Sequence, residues 1–347
     1  MRKLHIHIAL ALTGLSLCAG SLRAQILPAL GAQRAGISAL TFLKIDVSPR
    51  TAGMAGCGVA ISGDAYSTQV NPAQLVDLQG FSMAASNTFW VAGINHAFAA
   101  GALPTKKAGV FGVSVTSLTT GAMERRTEYQ PDGTGEYFYA SNTAVGFTWA
   151  KQLTEQFSWG VSAKYVNERL AEYTANTGVV DVGLLYKTDV KDLKFAVMLQ
   201  SFGLNSKLKG NYVPDGATVD SLALKAYPAP TVFQLGASMV PFKKENQSLT
   251  VGLQLNHPND NAENIRIGLE YEYRQLLFVR AGYMLNVKDH SLPTAGLGIR
   301  TRIGKHPMSM DYSVDPTKYL GWIHRVGLTF SLNKINREES TDATPEQ

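Results

Sequence analysis

The sequence predicts an all-β protein: a fourteen-stranded antiparallel transmembrane barrel with an N-terminal plug segment. Three observations carry that expectation. The first is strict alternation between 249 and 283. Leu249, Val251, Leu253 and Leu255 share one face, against Thr250, Gly252, Gln254 and Asn256 on the other. Ile265, Ile267, Leu269, Tyr271 and Tyr273 then oppose Arg266, Gly268, Glu270 and Glu272, and Leu277, Val279, Ala281 and Tyr283 oppose Phe278, Arg280 and Gly282. Period-two patterning of this length marks strands. Apolar residues on one face with charges and glycines on the other fit a barrel with lipid outside and a polar lumen. The second observation is that the strands add up to an even number. The third is the parity of the connections, which are short after even strands and long after strands 3, 5 and 7.

Composition is compatible with one large barrel. The chain has 347 residues, 45% of them hydrophobic, and 32 glycines suited to close packing. Its first residues read as a secretory leader. Arg2 and Lys3 form a basic start, Ile6 to Ala19 an apolar core, and Leu22-Arg23-Ala24 a cleavage site, so Gln25 would begin the mature chain. Leu17 before Cys18 does not fit a lipoprotein signal. Losing Arg2, Lys3 and Arg23 lowers the formal charge from +5 to +2. The basic balance therefore does not point to nucleic acid. Cys57 would be the remaining cysteine, with no disulfide partner. Beyond the leader no apolar run is long enough for a membrane helix. A closed sheet can still cross an outer membrane because it satisfies its own backbone, and the cell outer membrane is the expected location.

Residues 25–79 do not alternate. The small-residue tract from Ala52 to Ala60 includes Gly53, Met54 and Gly56, and suggests backbone packed on backbone. Asp64 to Val70 reads as a short helix, and Asn71-Pro72 as a cap with proline at the first helical position. The segment is either a plug inside the barrel or a periplasmic extension. The barrel is expected over 80–333, with its first strands near Phe81–Trp90 and Val91–Leu103, and a polar, disordered tail over 334–347. Long links are expected at Thr119–Asn142, Glu168–Gly178 and Phe202–Thr231, on the external side where loops outgrow the periplasmic turns.

Centring the hairpin between the tenth and eleventh strands on Gln275 sets Glu270 opposite Arg280 in the lumen, and facing opposite charges support pairing. Arg300, Asp311 and Arg325 are candidates to continue the row. Such a row is either a constriction or an internal salt-bridge ladder. The external loops hold the remaining candidates. The first carries Arg125, Arg126, Tyr129, Tyr137 and Tyr139, the later one Tyr212 and Tyr227. Tyrosine beside arginine is the composition of contact patches, and also of membrane interfaces.

No catalytic chemistry stands out. His96, His257, His290, His306 and His324 lack metal-ligand spacing, and neither a nucleophile elbow nor a phosphate loop is present. No enzyme activity, metal or cofactor is expected.

Ala39-Leu40-Thr41-Phe42-Leu43-Lys44-Ile45, Pro49-Arg50-Thr51-Ala52-Gly53-Met54-Ala55 and Asp64-Ala65 through Asn71-Pro72-Ala73 resemble the start of the PorV/PorQ family of Bacteroidetes. Thr127 to Gly135, and the ending from Asp311-Tyr312 through His324-Arg325 to Phe330, are similar to the same family. The resemblance implies a barrel related to fatty-acid channels and serving type IX secretion. Its implied partners are translocon or sortase and attachment subunits and the C-terminal signal domains of cargo, along with outer-membrane lipid. The fatty-acid channel likeness implies a second reading, uptake of hydrophobic small molecules. The chain is short beside cargo-shuttling members, so the resemblance does not separate a shuttle from an attachment-type member.

Overall fold

The computed structural model describes residues 36–61, 63–210, 224–287, 290 and 292–332. The expected leader and tail, and Tyr212, lie outside them. Fourteen strands close into an antiparallel barrel. In chain order they are β1 (Ser82–Phe89), β2 (Asn95–Thr105), β3 (Gly109–Thr119), β4 (Ala140–Gln152), β5 (Phe157–Leu170), β6 (Tyr173–Lys187) and β7 (Lys194–Gly203). Then come β8 (Val232–Lys244), β9 (Gln247–Pro258), β10 (Asn264–Tyr273), β11 (Leu277–Leu285), β12 (Thr294–Ile303), β13 (His306–Thr317) and β14 (Gly321–Ser331). Every strand pairs with its neighbours in sequence, and β14 returns to β1 with Phe330 opposite Met83. Closure leaves no sheet edge with unpaired backbone groups, which hydrocarbon would penalise.

Side chains are sorted in the inverse of a soluble protein. Val113, Leu253 and Val279 are more than half exposed on the outer wall, whereas Thr148, Ser162, Asp181, Gln254 and Glu270 are buried on the inner one. Apolar outside and polar inside is the arrangement favoured when the surrounding medium is lipid.

One end carries the turns 106–108, 153–156, 188–193, 245–246, 274–276 and 304–305. At 274–276, Arg274 and Gln275 both take positive φ (51° and 54°), and Leu276 N donates to Tyr273 O at 3.0 Å. A tight hairpin turn with both central residues left-handed matches strand twist. The other end carries long links at 120–139 and 204–231. The expected long link at 168–178 is instead a continuation of both strands: Glu168 pairs with Ala175 and Leu170 with Tyr173, leaving a turn at Ala171-Glu172. The first hairpin also differs from expectation. Its strands are separated by a 3-10 turn, Val91–Gly93, where Ala92 and Gly93 have φ of 54° and 73°.

Residues 36–78 precede β1 and lie against the inward-facing side chains. They form a 3-10 turn at Thr41–Lys44, helices α1 (Pro49–Ala52) and α2 (Ser67–Val70), and a 3-10 turn at Pro72–Asp77. The helix expected over 64–70 is shorter because Asp64 Oδ1 accepts from Tyr66 N at 2.9 Å and holds a turn there. Asn71 caps the last turn, its Oδ1 accepting from Ala73 N at 3.1 Å, with Pro72 at the first helical position. Apolar anchors hold this inner segment at two levels. Leu40, Phe42 and Leu43 pack with Val166 and Val179, and Tyr66 stacks on Phe98 at 5.6 Å beside Val47.

Candidate interaction surface

The interior is knit by ions and by close backbone approach. Arg50 of α1 grips Glu270 of β10 with two bonds, Nε to Oε2 at 2.8 Å and Nη2 to Oε1 at 2.6 Å. Glu270 sits in register with Arg280 of β11, whose Nε donates to Glu270 Oε2 at 2.6 Å and whose Nη1 donates to Asp311 Oδ1 at 2.6 Å. Bidentate, charge-assisted bonds of this kind fix geometry as well as energy. Arg300 stands apart from the chain of pairs, with its guanidinium 4.5 Å over the Phe278 ring. Arg325 faces Asp315, Nη1 to Oδ2 3.8 Å. A second buried pair joins Lys164 to Asp181, with Lys164 Nζ also donating to Gln69 Oε1 at 2.6 Å.

The glycines of the inner segment meet glycines of the wall. A Cβ at Gly53 would stand 2.9 Å from Gly296 Cα, and one at Gly160 would stand 2.6 Å from the Pro72 carbonyl carbon. Met54 is fully buried against Gly268 and Gly282, while Gly56, with φ of 73°, leaves room for the Arg266 guanidinium. Among the described residues, the cavity beside this segment is polar, about 50 Å³, and bordered by Lys44, Asp46, Gln69, Gln200 and Gln254. A larger apolar depression of about 990 Å³ involves β13, β14 and β1 to β6. The exposed residues bordering it, Ala85, Ala99, Phe147 and Leu328 among them, belong to the outer wall.

The long-loop end is a built surface. Met123–Glu124 and Tyr137–Phe138 form a small hairpin outside the barrel. Arg125 ties it together: its N donates to Glu136 O at 2.8 Å, its O accepts from Thr134 N at 2.9 Å, and Nη1 lies 3.4 Å from Glu136 Oε2. The extended β5–β6 hairpin buttresses it. Arg125 pairs with Glu172 in that turn, and Ala171 N donates to Tyr139 O at 3.1 Å. On the far flank Thr174 and Lys209 exchange two backbone bonds of 2.8 Å, and Ser206 bridges Tyr227. Thus three connections share one scaffold. Tyr129 stands 94% exposed at its tip, and Tyr137, Tyr139, Tyr227 and Arg126 are exposed around it. Arg125 itself is half-buried and serves the scaffold.

Sequence reasoning missed Arg50 and Glu172 as partners. Both lie where no period constrains which residue they meet. The histidines are dispersed: His257 Nδ1 is 2.8 Å from Glu263, and Tyr312 Oη is 2.7 Å from His324 Nδ1. No group of three metal-ligating residues occurs among the described residues.

The family model described as type IX secretion system protein PorV matches residues 29–189. Over those residues the chain resembles the PorV family. Its barrel fold is also that of known hydrocarbon channels. The Pseudomonas putida toluene transporter TodX is 13% identical with a TM-score of 0.58, covering 87% of this chain and 100% of its own. The Ralstonia pickettii toluene transporter TbuX is 13% identical with a TM-score of 0.53, covering 82% and 96%. A Pseudomonas aeruginosa FadL homologue is 10% identical with a TM-score of 0.50, covering 82% and 97%. No curated protein matches the sequence significantly. At these identities the structural likeness concerns the fold alone.

Proposed function

We propose that this barrel captures protein partners of type IX secretion at its long-loop end, either cargo C-terminal signal domains or translocon and attachment subunits. The observation that carries the reading is the braced loop surface. The β5–β6 hairpin rises beyond the wall and holds the Tyr129 loop through Glu172 and Ala171. A braced loop loses less conformational freedom on binding than a loose one, and exposed tyrosines and arginine are the side chains that dominate interface energies. The inner segment acts as a plug that keeps the wall rigid beneath these loops.

The uptake of hydrophobic molecules, which the named toluene transporters suggest, requires an apolar cavity beside the inner segment. The small polar cavity found there, and the position of the larger depression at the outer wall, weigh against it.

The test is capture from outer membranes in gentle detergent. The Tyr129→Ala/Tyr137→Ala/Tyr139→Ala variant is expected to insert normally and to lose partner affinity by about 30-fold or more, the equivalent of roughly 2 kcal/mol for one strong contact. Wild-type recovery of type IX subunits or signal domains by that variant would sink the assignment to this loop. Recovery of the wild-type barrel with lipid alone would sink the partner-binding reading itself.

A further inference from the structure

The outer wall at the short-turn end carries cations set on or beside aromatic rings. Lys151, outward on β4, pairs in register with Trp159 of β5, which packs edge-on against Trp149 at 5.0 Å. Trp149 Nε1 donates to Ala108 O at 2.8 Å, directly after the turn residues Lys106 and Lys107. Lys244 Nζ lies 5.3 Å over the Phe242 ring, and the Arg274 guanidinium 5.3 Å over the Tyr273 ring. All five cations are exposed. Their neighbours Lys243 and Lys187 are taken by Asp192 and Asp77, but these five have no ion pair among the described residues. Acids at this rim, such as Glu155, Asp189 and Glu245, are fewer than the cations. The opposite end has one such contact, Lys318 Nζ 5.2 Å over the Tyr319 ring, while Arg125 there is placed between Glu136 and Glu172.

Outward rings near the ends of transmembrane strands mark the headgroup depth. A cation stacked on such a ring stands level with lipid phosphates. These cations fall into two groups on separate arcs of the perimeter, one at the β2–β3 turn and β4, the other at the β8–β9 and β10–β11 turns, where Arg274 N donates to Asn246 O at 2.7 Å. A single acidic protein would need one continuous face, whereas small headgroups suit two separate arcs. We infer that the short-turn rim binds the phosphate headgroups of acidic phospholipid in the leaflet that meets the short turns. The inference rests on the outer-membrane reading and adds to it a side, a depth and a headgroup chemistry.

The test uses the full chain, stripped of lipid and returned to vesicles of phosphatidylcholine with a minor share of phosphatidylglycerol. Lipid retained by the extracted protein is then counted by mass spectrometry. The wild type is expected to enrich phosphatidylglycerol, and raised salt to weaken the enrichment. Lys151→Gln/Lys244→Gln/Arg274→Gln is expected to lower it about tenfold or more, since each cation near an anionic surface contributes several-fold. Arg169→Gln/Lys207→Gln, at the long-loop end, should retain wild-type enrichment. Equal enrichment by wild type and rim variant overturns the inference, as does an equal loss in the control. Retention of an acidic peptide without phosphatidylglycerol enrichment overturns it in favour of a protein ligand. Insertion into pure phosphatidylcholine, read by heat-modifiable gel migration, separately tests the membrane reading.

Discussion

At the scale of single residues, Glu270 is the junction of the interior. It accepts from Arg50 and Arg280 at once. Glu270→Ala leaves two guanidinium groups without their shared acceptor, and breaking a buried pair in this way costs about 3–5 kcal/mol. Unfolding in denaturant at fixed detergent should show the loss, and a midpoint equal to wild type would contradict the network. Gly160→Ala drives a methyl into the Pro72 backbone, a contact that neither side can leave by rotating a bond. Overpacking of this kind costs about 1–3 kcal/mol, measured in the same experiment. Cys57 gives a third readout. Burial pushes its thiol up to about 12 and removes it from solvent. Reactivity belongs to the thiolate, so maleimide should label Cys57 only after unfolding; rapid labelling of the folded barrel would place the inner segment elsewhere. The Glu270–Arg280 register was legible because the hairpin centre at Gln275 determines it. Arg50 was not, since its helix is one turn long and no repeat tells which strand it faces.

At the scale of elements, the loop hairpin and the β5–β6 hairpin act as one unit. Arg125→Ala removes the tie to both Glu136 and Glu172 and should loosen the 125–136 segment without unfolding the wall. Trypsin is expected to cut after exposed Arg126 faster in that variant, with the fourteen strands surviving as a heat-modifiable species. An unchanged cleavage rate would show that the backbone bonds around Thr134 hold the loop alone. The boundaries of β5 and β6 illustrate where patterning stops. Within the membrane, Val161, Ala163 and Tyr165 alternate with Ser162 and Lys164 because lipid and lumen differ. Beyond it, Asn167-Glu168-Arg169 is polar on both faces. Alternation then carries no advantage, although the backbone pairing continues to Leu170.

At the scale of the molecule, the segment before β1 lies against the inner face of a closed wall. The intact protein should therefore show no steady conductance in a planar bilayer, and Arg50→Ala, which releases one anchor of the segment, should give intermittent openings. Open-pore currents from the wild type would refute this packing. Strand number and the polarity of the two faces were legible from alternation and connection lengths, which report on the medium around each residue. How residues 36–78 dock was not, because glycine-on-glycine contacts such as Gly53 with Gly296 leave no hydrophobic period.

The inner segment precedes β1 in the chain yet holds partners near the opposite end: Arg50 meets Glu270, Gly53 meets Gly296, and Pro49 meets Gly327. The wall closes where β14 meets β1. A segment bearing short helices would pass with difficulty through a finished ring already sealed at its seam. The segment is therefore expected to be in place before the ring closes, with the last strands wrapping around it. The seam between β1 and β14 is then both the final joint of the wall and the step that makes the docking of the segment permanent.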